Sequence, residues 1–352
     1  MLLRANKEFK GKKILVVGGA GFVGSNLCEK LLQEDIFSLT VVDNLLSAEA
    51  ENLPRDKRLN FVLGSIADDR LLARIGTDYD YVFHLATYHG NQSSIHDPIA
   101  DHANNTLTTL KLCEHFKGVE SLKKFVYSSA GCTVAKKTYD KVDATDEDAE
   151  VALYHDSPYQ LSKIFGEFYG NYYWMKYNLP FVKARFQNVY GPREILGAGQ
   201  WRGTSATVWR NVTPTFIWKA LNHEALPLEN EGQASRDFIF VDDIVEGLIA
   251  CATKGKTGEV YNLASGVETT IKELASTINH LTQNPTPIHY SPSRPWDRSG
   301  KRFGSPEKSE KEIGFKAKVS LSDGLKETIK WTQQNKNLIE RNISKHSFFM
   351  GK

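Results

Sequence analysis

The chain has 352 residues, of which 41% are hydrophobic and 24% are charged, a balance typical of a soluble globular protein. Its formal net charge of +2 gives no electrostatic reason to expect a nucleic acid or an anionic membrane as partner. Four dispersed cysteines without a C-x-x-C pair argue against a zinc site or a disulfide framework. No apolar run approaches the roughly 20 residues of a membrane span, and residues 1–10 lack the apolar core of a signal peptide. We therefore expect a cytoplasmic protein without a metal site.

The first half of the sequence alternates strands with helices. An apolar run at residues 14–17 predicts a strand buried on both faces. Further strands are expected at residues 39–42, 81–85, 125–128 and 181–186, with helices at 104–116 and 159–177. This alternation predicts a parallel sheet that is covered by helices on both faces. After about Tyr190 the rhythm breaks, and the later strands are expected at 237–241 and 260–263.

A glycine-rich turn follows the first strand. Gly18 allows the tight turn, Gly21 lets the backbone approach a pyrophosphate, and Gly24 permits close packing of the helix on the strand. The pyrophosphate would lie at the helix N-terminus, where free N–H groups favour an anion. Asp43 ends the second strand, and a carboxylate there accepts hydrogen bonds from the adenosine ribose and repels a 2′-phosphate. The sequence therefore predicts NAD, rather than NADP, as the cofactor.

A tyrosine and a lysine form a candidate catalytic pair. Tyr159 and Lys163 are four residues apart on a predicted helix and so lie on one face. A nearby ammonium and a cationic nicotinamide ring would lower the pKa of the tyrosine from about 10 towards neutrality. Tyr159 would then exchange a proton with a substrate hydroxyl.

These motifs stand in an order that resembles the extended short-chain dehydrogenase/reductase family, the NAD-dependent nucleotide-sugar epimerases and dehydratases. The resemblance spans about residues 12–331. Its further marks are Asp43-Asn44-Leu45, His84-Leu85-Ala86-Thr87, Tyr127-Ser128-Ser129, Arg185-Phe186-Gln187-Asn188-Val189-Tyr190-Gly191-Pro192-Arg193, Arg236-Asp237-Phe238, Tyr261-Asn262-Leu263-Ala264-Ser265-Gly266 and Arg294-Pro295.

The resemblance implies a fold and a division of the chain. We expect an α/β protein, a Rossmann-type doubly wound parallel sheet with a smaller mixed α/β lobe for the substrate. Residues 10–186 and 236–265 would form the NAD-binding domain, and residues 187–235 and 266–335 the nucleotide-sugar lobe. Residues 336–352 would be a peripheral tail. The helices from Asn104 and from Tyr159 would pair two copies into a homodimer.

The resemblance also implies roles for single residues. Ser129 would contact the reacting sugar oxygen together with Tyr159, Lys163 would hold the nicotinamide ribose, and Asn105 would steady the catalytic region. The implied cofactor contacts are Gly18, Gly21, Phe22, Val23, Asp43, Asn44, Ser65, Ile66, Leu85, Ala86, Thr87, Asn105, Tyr159 and Lys163. The implied substrate contacts are Asn188, Arg236 and Arg294, the last two as charge partners of the diphosphate. The polar segment after Thr87 adds Tyr88, His89, Gly90 and Ser94 as candidates, because its hydrogen-bonding groups could contact an N-acetyl group, a carboxylate or an extra hydroxyl.

The sequence leaves several of these roles open. The segment after Ser129 is one residue longer than the family pattern, so that Thr133 or Ser128 could supply the catalytic hydroxyl instead. Trp296 stands where the family usually has glycine, and His84 could be a structural histidine. A patch around residues 201–210, with two tryptophans and two arginines, could serve the base or a sugar acid, or could be core and surface.

The absence of certain acidic side chains reduces the number of candidate reactions. Sugar dehydratases carry an Asp-Glu pair where this chain has Ala130 and Gly131, and the glutamate of related decarboxylases is absent. We expect a 4-epimerase of a UDP-sugar, N-acetylated and uronic acid sugars included, in cell-surface polysaccharide or lipopolysaccharide biosynthesis. Cys132 keeps a 3,5- or 5-epimerase open, since a thiol can act as acid or base. A dehydratase, a decarboxylase, a reductase and a catalytically silent nucleotide-binding protein also stay open, with less support from the sequence.

Overall fold

The computed structural model describes residues 7–88, 90–134, 138–292 and 300–351. Its strands are β1 (Lys13–Val17), β2 (Ser38–Asp43), β3 (Leu59–Leu63), β4 (Tyr81–His84), β5 (Lys124–Ala130), β6 (Phe181–Phe186), β7 (Asn188–Tyr190), β8 (Pro227–Glu229), β9 (Ser235–Arg236), β10 (Phe238–Phe240), β11 (Val260–Leu263), β12 (Thr269–Thr270) and β13 (His289–Ser291). Its helices are α1 (Phe22–Leu32), α2 (Asp69–Ile75), α3 (Asn91–His96), α4 (Pro98–Asp101), α5 (Leu107–His115), α6 (Pro158–Tyr177), α7 (Val212–Leu221), α8 (Val241–Lys254), α9 (Ile271–Thr282), α10 (Glu307–Ile313), α11 (Leu321–Gln334) and α12 (Lys336–Ser344).

Seven parallel strands form the central sheet, in the order β3-β2-β1-β4-β5-β6-β11. The order reverses between β1 and β4, which is the switch point of a doubly wound sheet, where nucleotides bind. Each face is covered by an apolar cluster, one around Ile14 and Leu248 and the other around Leu15 and Phe181. The predicted Rossmann-type fold is confirmed.

The smaller lobe is built from later segments of the chain. Helices α7, α9 and α11 surround an apolar cluster that includes Phe216, Leu228 and Leu274. The strand expected at residues 237–241 is shorter and joins β7 in a separate two-stranded sheet, whereas β11 returns to the central sheet beside β6. Of the segment from 236 to 265, β9 and β10 therefore lie outside the central sheet, because they pair with β12 and β7.

Helix α12 packs on the substrate lobe. Ile339 is 2% exposed and contacts Leu196 and Trp218. Arg341 forms an ion pair with Glu51 of the cofactor half. The tail that the sequence predicts as peripheral thus contributes to a buried cluster. Within the described ranges, no helix is both long and apolar enough to cross a bilayer.

Candidate functional site

The glycine turn brings α1 close to the sheet. Gly18 has φ +85°, and an added Cβ at Gly18 would overlap the backbone of Ala86 at the end of β4. An added Cβ at Gly24 would overlap the carbonyl of Gly18. Helix α1 begins at Phe22 without a side-chain cap and without an acidic residue in its first turn. Its free N–H groups therefore fit an anionic diphosphate.

Asp43 closes the cofactor end of this turn. Its Oδ2 accepts a hydrogen bond from the backbone N–H of Ala20 at 3.0 Å, and its Oδ1 accepts one from Leu45 at 2.9 Å. Burial raises the pKa of the Asp43 carboxyl, while these backbone hydrogen bonds oppose the shift. The carboxylate is thus fixed at the carboxyl end of β2, beside the turn, as a ribose ligand requires.

A cavity of about 700 Å³ runs from the glycine turn into the smaller lobe. It lies over the carboxyl ends of the central strands, where open α/β sheets bind their ligands. Most of the predicted cofactor and substrate residues line it together, namely Gly18, Gly21, Phe22, Val23, Asp43, Asn44, Ser65, Ile66, Leu85, Ala86, Thr87, Gly90, Ser129, Tyr159, Lys163, Asn188 and Arg236. The chain therefore brings the two predicted ligand sets into one continuous space.

Helix α6 carries the candidate catalytic pair. Lys163 Nζ donates a hydrogen bond to the Ser128 carbonyl at 2.8 Å and lies 5.9 Å from the Tyr159 ring centre. Burial lowers the pKa of Lys163 to about 8 and raises the pKa of Tyr159. In the protein alone the Tyr159 shift is thus opposite to the one expected from sequence, because desolvation of the phenolate outweighs the positive charge of Arg302.

The predicted role of Ser129 is not supported by the geometry. Its hydroxyl donates a hydrogen bond to Glu167, which also forms a buried bidentate ion pair with Arg185. Glu167 is eight residues beyond Tyr159, about 12 Å along the helix axis. The alternation of side chains along β5 turns Ser129 to this ion pair. Ser129 therefore lines the cavity, but its hydroxyl hydrogen-bonds to Glu167.

The two alternative hydroxyls also donate to protein groups. Ser128 Oγ donates to the His84 carbonyl at 3.0 Å, and Thr133 Oγ1 donates to the Ala130 carbonyl at 2.8 Å. Cys132 lines the cavity and interacts electrostatically with both Tyr159 and Lys163. At the candidate pair, the cavity is therefore lined by a phenol, an ammonium and a thiol.

Asn105 lies behind the cavity, connects the segments around it by hydrogen bonds, and is not among the cavity-lining residues. It lies in a π-turn, His102–Thr106, between α4 and α5. Its Oδ1 accepts the backbone N–H of Tyr88 at 2.6 Å, and its Nδ2 donates to Asp101 at 2.8 Å and to Ser162 at 3.2 Å. The extra residue of a π-turn turns Asn105 inward. It thereby joins α6 to the segment after β4.

Two predicted substrate contacts, Tyr88 and Ser94, lie behind the cavity surface. Tyr88 is 3% exposed, and Ser94 is fully buried. Ser94 Oγ accepts the backbone N–H of Tyr159 at 3.2 Å and donates to the Asn91 carbonyl. Ser94 thereby positions the start of α6, and neither residue is among those that line the cavity.

His84 has a structural role. Its Nε2 lies 3.0 Å from Thr109 Oγ1, and burial lowers its pKa to about 3. The imidazole therefore stays neutral at physiological pH. His84 is packed between Phe125 and Tyr127, so it supports the sheet below Lys163.

The substrate end of the cavity is lined by Asn188 and Arg236. Arg236 Nη1 donates to the carbonyls of Ser235 and Gly300. Predicted residues His89 and Arg294, and the unusual Trp296, lie outside the described residues. Sequence reasoning missed many lining residues, among them Glu194, Asn211, Val212 and Arg302, because no motif marks them.

Comparison with known protein families shows to which family this chain belongs. Residues 14–264 match the sequence profile of the NAD dependent epimerase/dehydratase family. The chain belongs to this family. The predicted family and the predicted cofactor, NAD, are thereby confirmed.

Relatives across nearly the full chain agree with this assignment. The crystal structure of the Bordetella bronchiseptica enzyme WbmF with NAD+ and UDP is 56% identical, with a TM-score of 0.88, and covers 98% of this chain and 99% of that one. A UDP-N-acetylglucosamine 4-epimerase from Methanobrevibacter ruminantium M1 is 28% identical, with a TM-score of 0.81, over 93% of this chain and 99% of that one. The UDP-glucose 4-epimerase of Mycolicibacterium smegmatis is 28% identical over 91% of this chain and 98% of its own length. This epimerase-family member is therefore an NAD-dependent enzyme similar to UDP-sugar 4-epimerases.

Proposed function

We propose that the protein is an NAD-dependent nucleotide-sugar 4-epimerase that inverts C4 of a UDP-sugar. The observation that carries the proposal is the single cavity that joins the glycine turn, the Tyr159–Lys163 pair and the substrate lobe. A cofactor and a nucleotide sugar can meet at the catalytic pair in such a space. The setting in cell-surface polysaccharide or lipopolysaccharide biosynthesis stays a prediction.

The proposed cycle uses few protein groups. NAD supplies a hydride acceptor and donor at the reacting carbon. Tyr159 takes the proton from the C4 hydroxyl as the 4-keto sugar forms, and returns it to the oxygen when hydride comes back on the other face. Lys163 holds the nicotinamide ribose, and its ammonium stabilises the phenolate. The fixed carboxylate of Asp43 binds the adenosine ribose.

The remaining ligand contacts are proposed from the lining of the cavity. The pyrophosphate of NAD lies at the start of α1, at Phe22 and Val23, and the adenine lies against Ser65 and Ile66. Leu85, Ala86 and Thr87 follow β4 and flank the nicotinamide half. Asn188 and Arg236 hold the diphosphate of the sugar nucleotide, since a guanidinium matches phosphate geometry.

A second candidate reaction is epimerisation at C3 or C5, next to a 4-keto group. One specific observation favours it. The three candidate hydroxyls, on Ser128, Ser129 and Thr133, donate to protein groups, while Cys132 lines the cavity near Tyr159. A thiolate at Cys132 would remove the acidic proton at the carbon beside the keto group. Once the planar enolate has turned over in the cavity, the resulting thiol would return a proton to its other face.

Nuclear magnetic resonance in D2O separates the two reactions. We would incubate the NAD-loaded protein with UDP-glucose, UDP-N-acetylglucosamine and UDP-glucuronic acid, and with their GDP and dTDP counterparts. A 4-epimerase gives the C4 epimer without solvent deuterium, because the same hydride returns. A 3,5- or 5-epimerase places deuterium on carbon, and loss of water would reveal a dehydratase.

Tyr159→Phe should abolish inversion, because it removes the proton carrier. We expect NAD affinity to stay within about tenfold, since only one hydroxyl contact is lost. Near-wild-type inversion by this variant would contradict the role of Tyr159. Cys132→Ala should retain inversion if the enzyme is a 4-epimerase, and should lose deuterium incorporation if it is a 3,5- or 5-epimerase.

A further inference from the structure

Two arginines of the smaller lobe lie beside the cavity, Arg202 buried and Arg210 partly buried. Arg202 is 4% exposed, and its Nη1 donates to the Leu46 carbonyl at 3.2 Å and to Ser47 Oγ at 3.0 Å. Arg210 Nη1 donates to the Ser47 carbonyl at 2.9 Å, and Nη2 donates to the Ala198 carbonyl at 2.6 Å. Among the described residues, neither guanidinium has a carboxylate within ion-pair distance.

Several polar atoms of this cluster lack a hydrogen-bond partner in the part of the chain that the structure describes. They are Arg202 Nε and Nη2, Arg210 Nε, Glu194 Oε2, Thr204 Oγ1 and Thr215 Oγ1. Arg210, Glu194 and Thr215 line the cavity. A buried donor without an acceptor costs free energy, and two adjacent buried cations cost more.

Two carboxyl groups act on Arg210, and they do not balance the two cations: Glu49 is already ion-paired with Lys345. Glu194 is 5% exposed, and its Oε1 accepts a hydrogen bond from Asn211. Burial raises the pKa of Glu194 to about 7 and lowers the pKa of Arg210 to about 9, with Arg202 adding to the second shift. The cluster keeps an excess of positive charge, which an anionic ligand group would offset.

The cluster is hydrogen-bonded to the segment after β2, and it also contacts the elements that support the helix of Tyr159; of its two arginines, Arg210 lines the cavity. The Arg202 guanidinium is 6.0 Å from the Tyr88 ring centre, and the Tyr88 backbone is held by Asn105. An added Cβ at Gly203 would overlap the His96 ring, so the loop packs directly on α3. Helix α3 also carries Ser94, which accepts the N–H of Tyr159. Because this chain of contacts ends at Tyr159, we assign a group bound at Arg202 and Arg210 to the sugar end of the ligand.

We propose that Arg202 and Arg210 form an oxyanion site of the sugar pocket that binds a carboxylate on the sugar ring. The substrate class is then a nucleotide-linked uronic acid. Paired guanidinium groups suit a carboxylate because each presents parallel N–H donors to two oxygens. The diphosphates have other partners in the proposed function, on which this inference rests, at α1 and at Arg236.

Calorimetry on the NAD-loaded Tyr159→Phe protein tests the site without turnover. UDP-glucose and UDP-glucuronic acid differ only in a hydroxymethyl and a carboxylate group. We expect the acid to bind at least about tenfold more tightly, as a charge-assisted hydrogen bond implies. Adding Arg202→Gln or Arg210→Gln should reduce that ratio to near one, with UDP affinity within about threefold. Lys326→Gln, an exposed cation on α11, is the matched control and should leave the ratio unchanged.

Three results would overturn the proposal. Equal affinity of the parent protein for the acid and for UDP-glucose would exclude a carboxylate site. If the arginine variants lost as much affinity for UDP as for UDP-glucuronic acid, the anion bound by the arginines would be the diphosphate. If they lost as much affinity for NAD, it would be a phosphate of the cofactor. Failure of UDP itself to bind would instead refute the nucleotide-sugar assignment. The ratio of UDP-glucuronic acid affinity to UDP-glucose affinity is measured within one preparation, so partial unfolding does not change it. Arg210→Lys provides a milder variant.

Discussion

At the scale of single residues, the burial of Lys163, the proposed catalytic lysine, lowers the stability of the folded protein. Lys163 is 4% exposed, and its ammonium donates to the Ser128 carbonyl. Burial lowers its pKa from 10.5 to about 8. A shift of this size corresponds to roughly 3 kcal/mol against the charged form in the folded protein. Active sites often carry such costs, because a better packed residue would not do the chemistry.

Lys163→Met should therefore stabilise the protein while it abolishes turnover. We expect the free energy of unfolding at pH 7 to rise by about 1–3 kcal/mol, less the cost of leaving the Ser128 carbonyl unpaired. Because the folded pKa is depressed, the wild type gains stability between pH 8 and 10.5, and the variant lacks that gain. Denaturant unfolding across this range measures both, with exposed Lys326→Met as control. A destabilised variant at pH 7 would contradict the argument.

Asp43 gives a second prediction at this scale. In Asp43→Asn an amide N–H₂ would face the N–H of Ala20 or of Leu45, since one of the two accepting oxygens is lost. We expect NAD affinity to fall by about tenfold or more, and UDP affinity to change less than about threefold. Titration calorimetry compares the two ligands, with the exposed Asp78→Asn as control. Equal losses for NAD and UDP would refute the ribose contact.

At the scale of elements, the sequence predicts those strands and helices that carry a regular apolar pattern. The apolar runs of β1, β2 and β6 and the whole of α6 lie within a few residues of their predicted positions. Strand β3 was missed because it is the edge strand, and its side chains are only partly buried. The π-turn at His102–Thr106 follows no periodic pattern, and the direction of the Ser129 hydroxyl depends on Glu167, 38 positions away. Such contacts depend on tertiary packing.

Helix α6 is placed by two glycines, and this placement is testable. An added Cβ at Gly166 would overlap the Tyr127 hydroxyl, and one at Gly170 would overlap the Phe181 ring. Gly→Ala inside an exposed helix normally stabilises by about 1 kcal/mol. Gly166→Ala should instead destabilise the protein by about 1–3 kcal/mol, through overpacking, and should lower kcat by displacing Lys163. Thermal unfolding and steady-state kinetics measure the two effects. A more stable and fully active variant would show that α6 tolerates the shift.

At the scale of the whole molecule, the two lobes share the work of the site. The carboxyl ends of β1, β2 and β4 carry the residues proposed for NAD, whereas the smaller lobe supplies Arg236. Hydrogen bonds from Arg202 and Arg210 to the segment after β2 join the two halves beside the cavity. Local guanidinium groups and a helix N-terminus can therefore bind two diphosphates on a chain whose net charge is only +2.

The outer face of α6 remains apolar, which bears on the predicted homodimer. Side chains on this helix are strongly exposed, at 46% for Phe165, 51% for Phe168 and 51% for Tyr172. A contiguous apolar face of this kind is typical of an interface. We expect a homodimer that packs α6 against its copy. Phe168→Glu should then raise the dimer dissociation constant by about a hundredfold, because a carboxylate would be buried in the contact. Sedimentation equilibrium measures this shift, and Phe37→Glu, an exposed phenylalanine outside α6, should leave it unchanged. A wild-type protein that sediments as a monomer at micromolar concentration would refute the dimer, and NAD binding by both variants shows that they are folded.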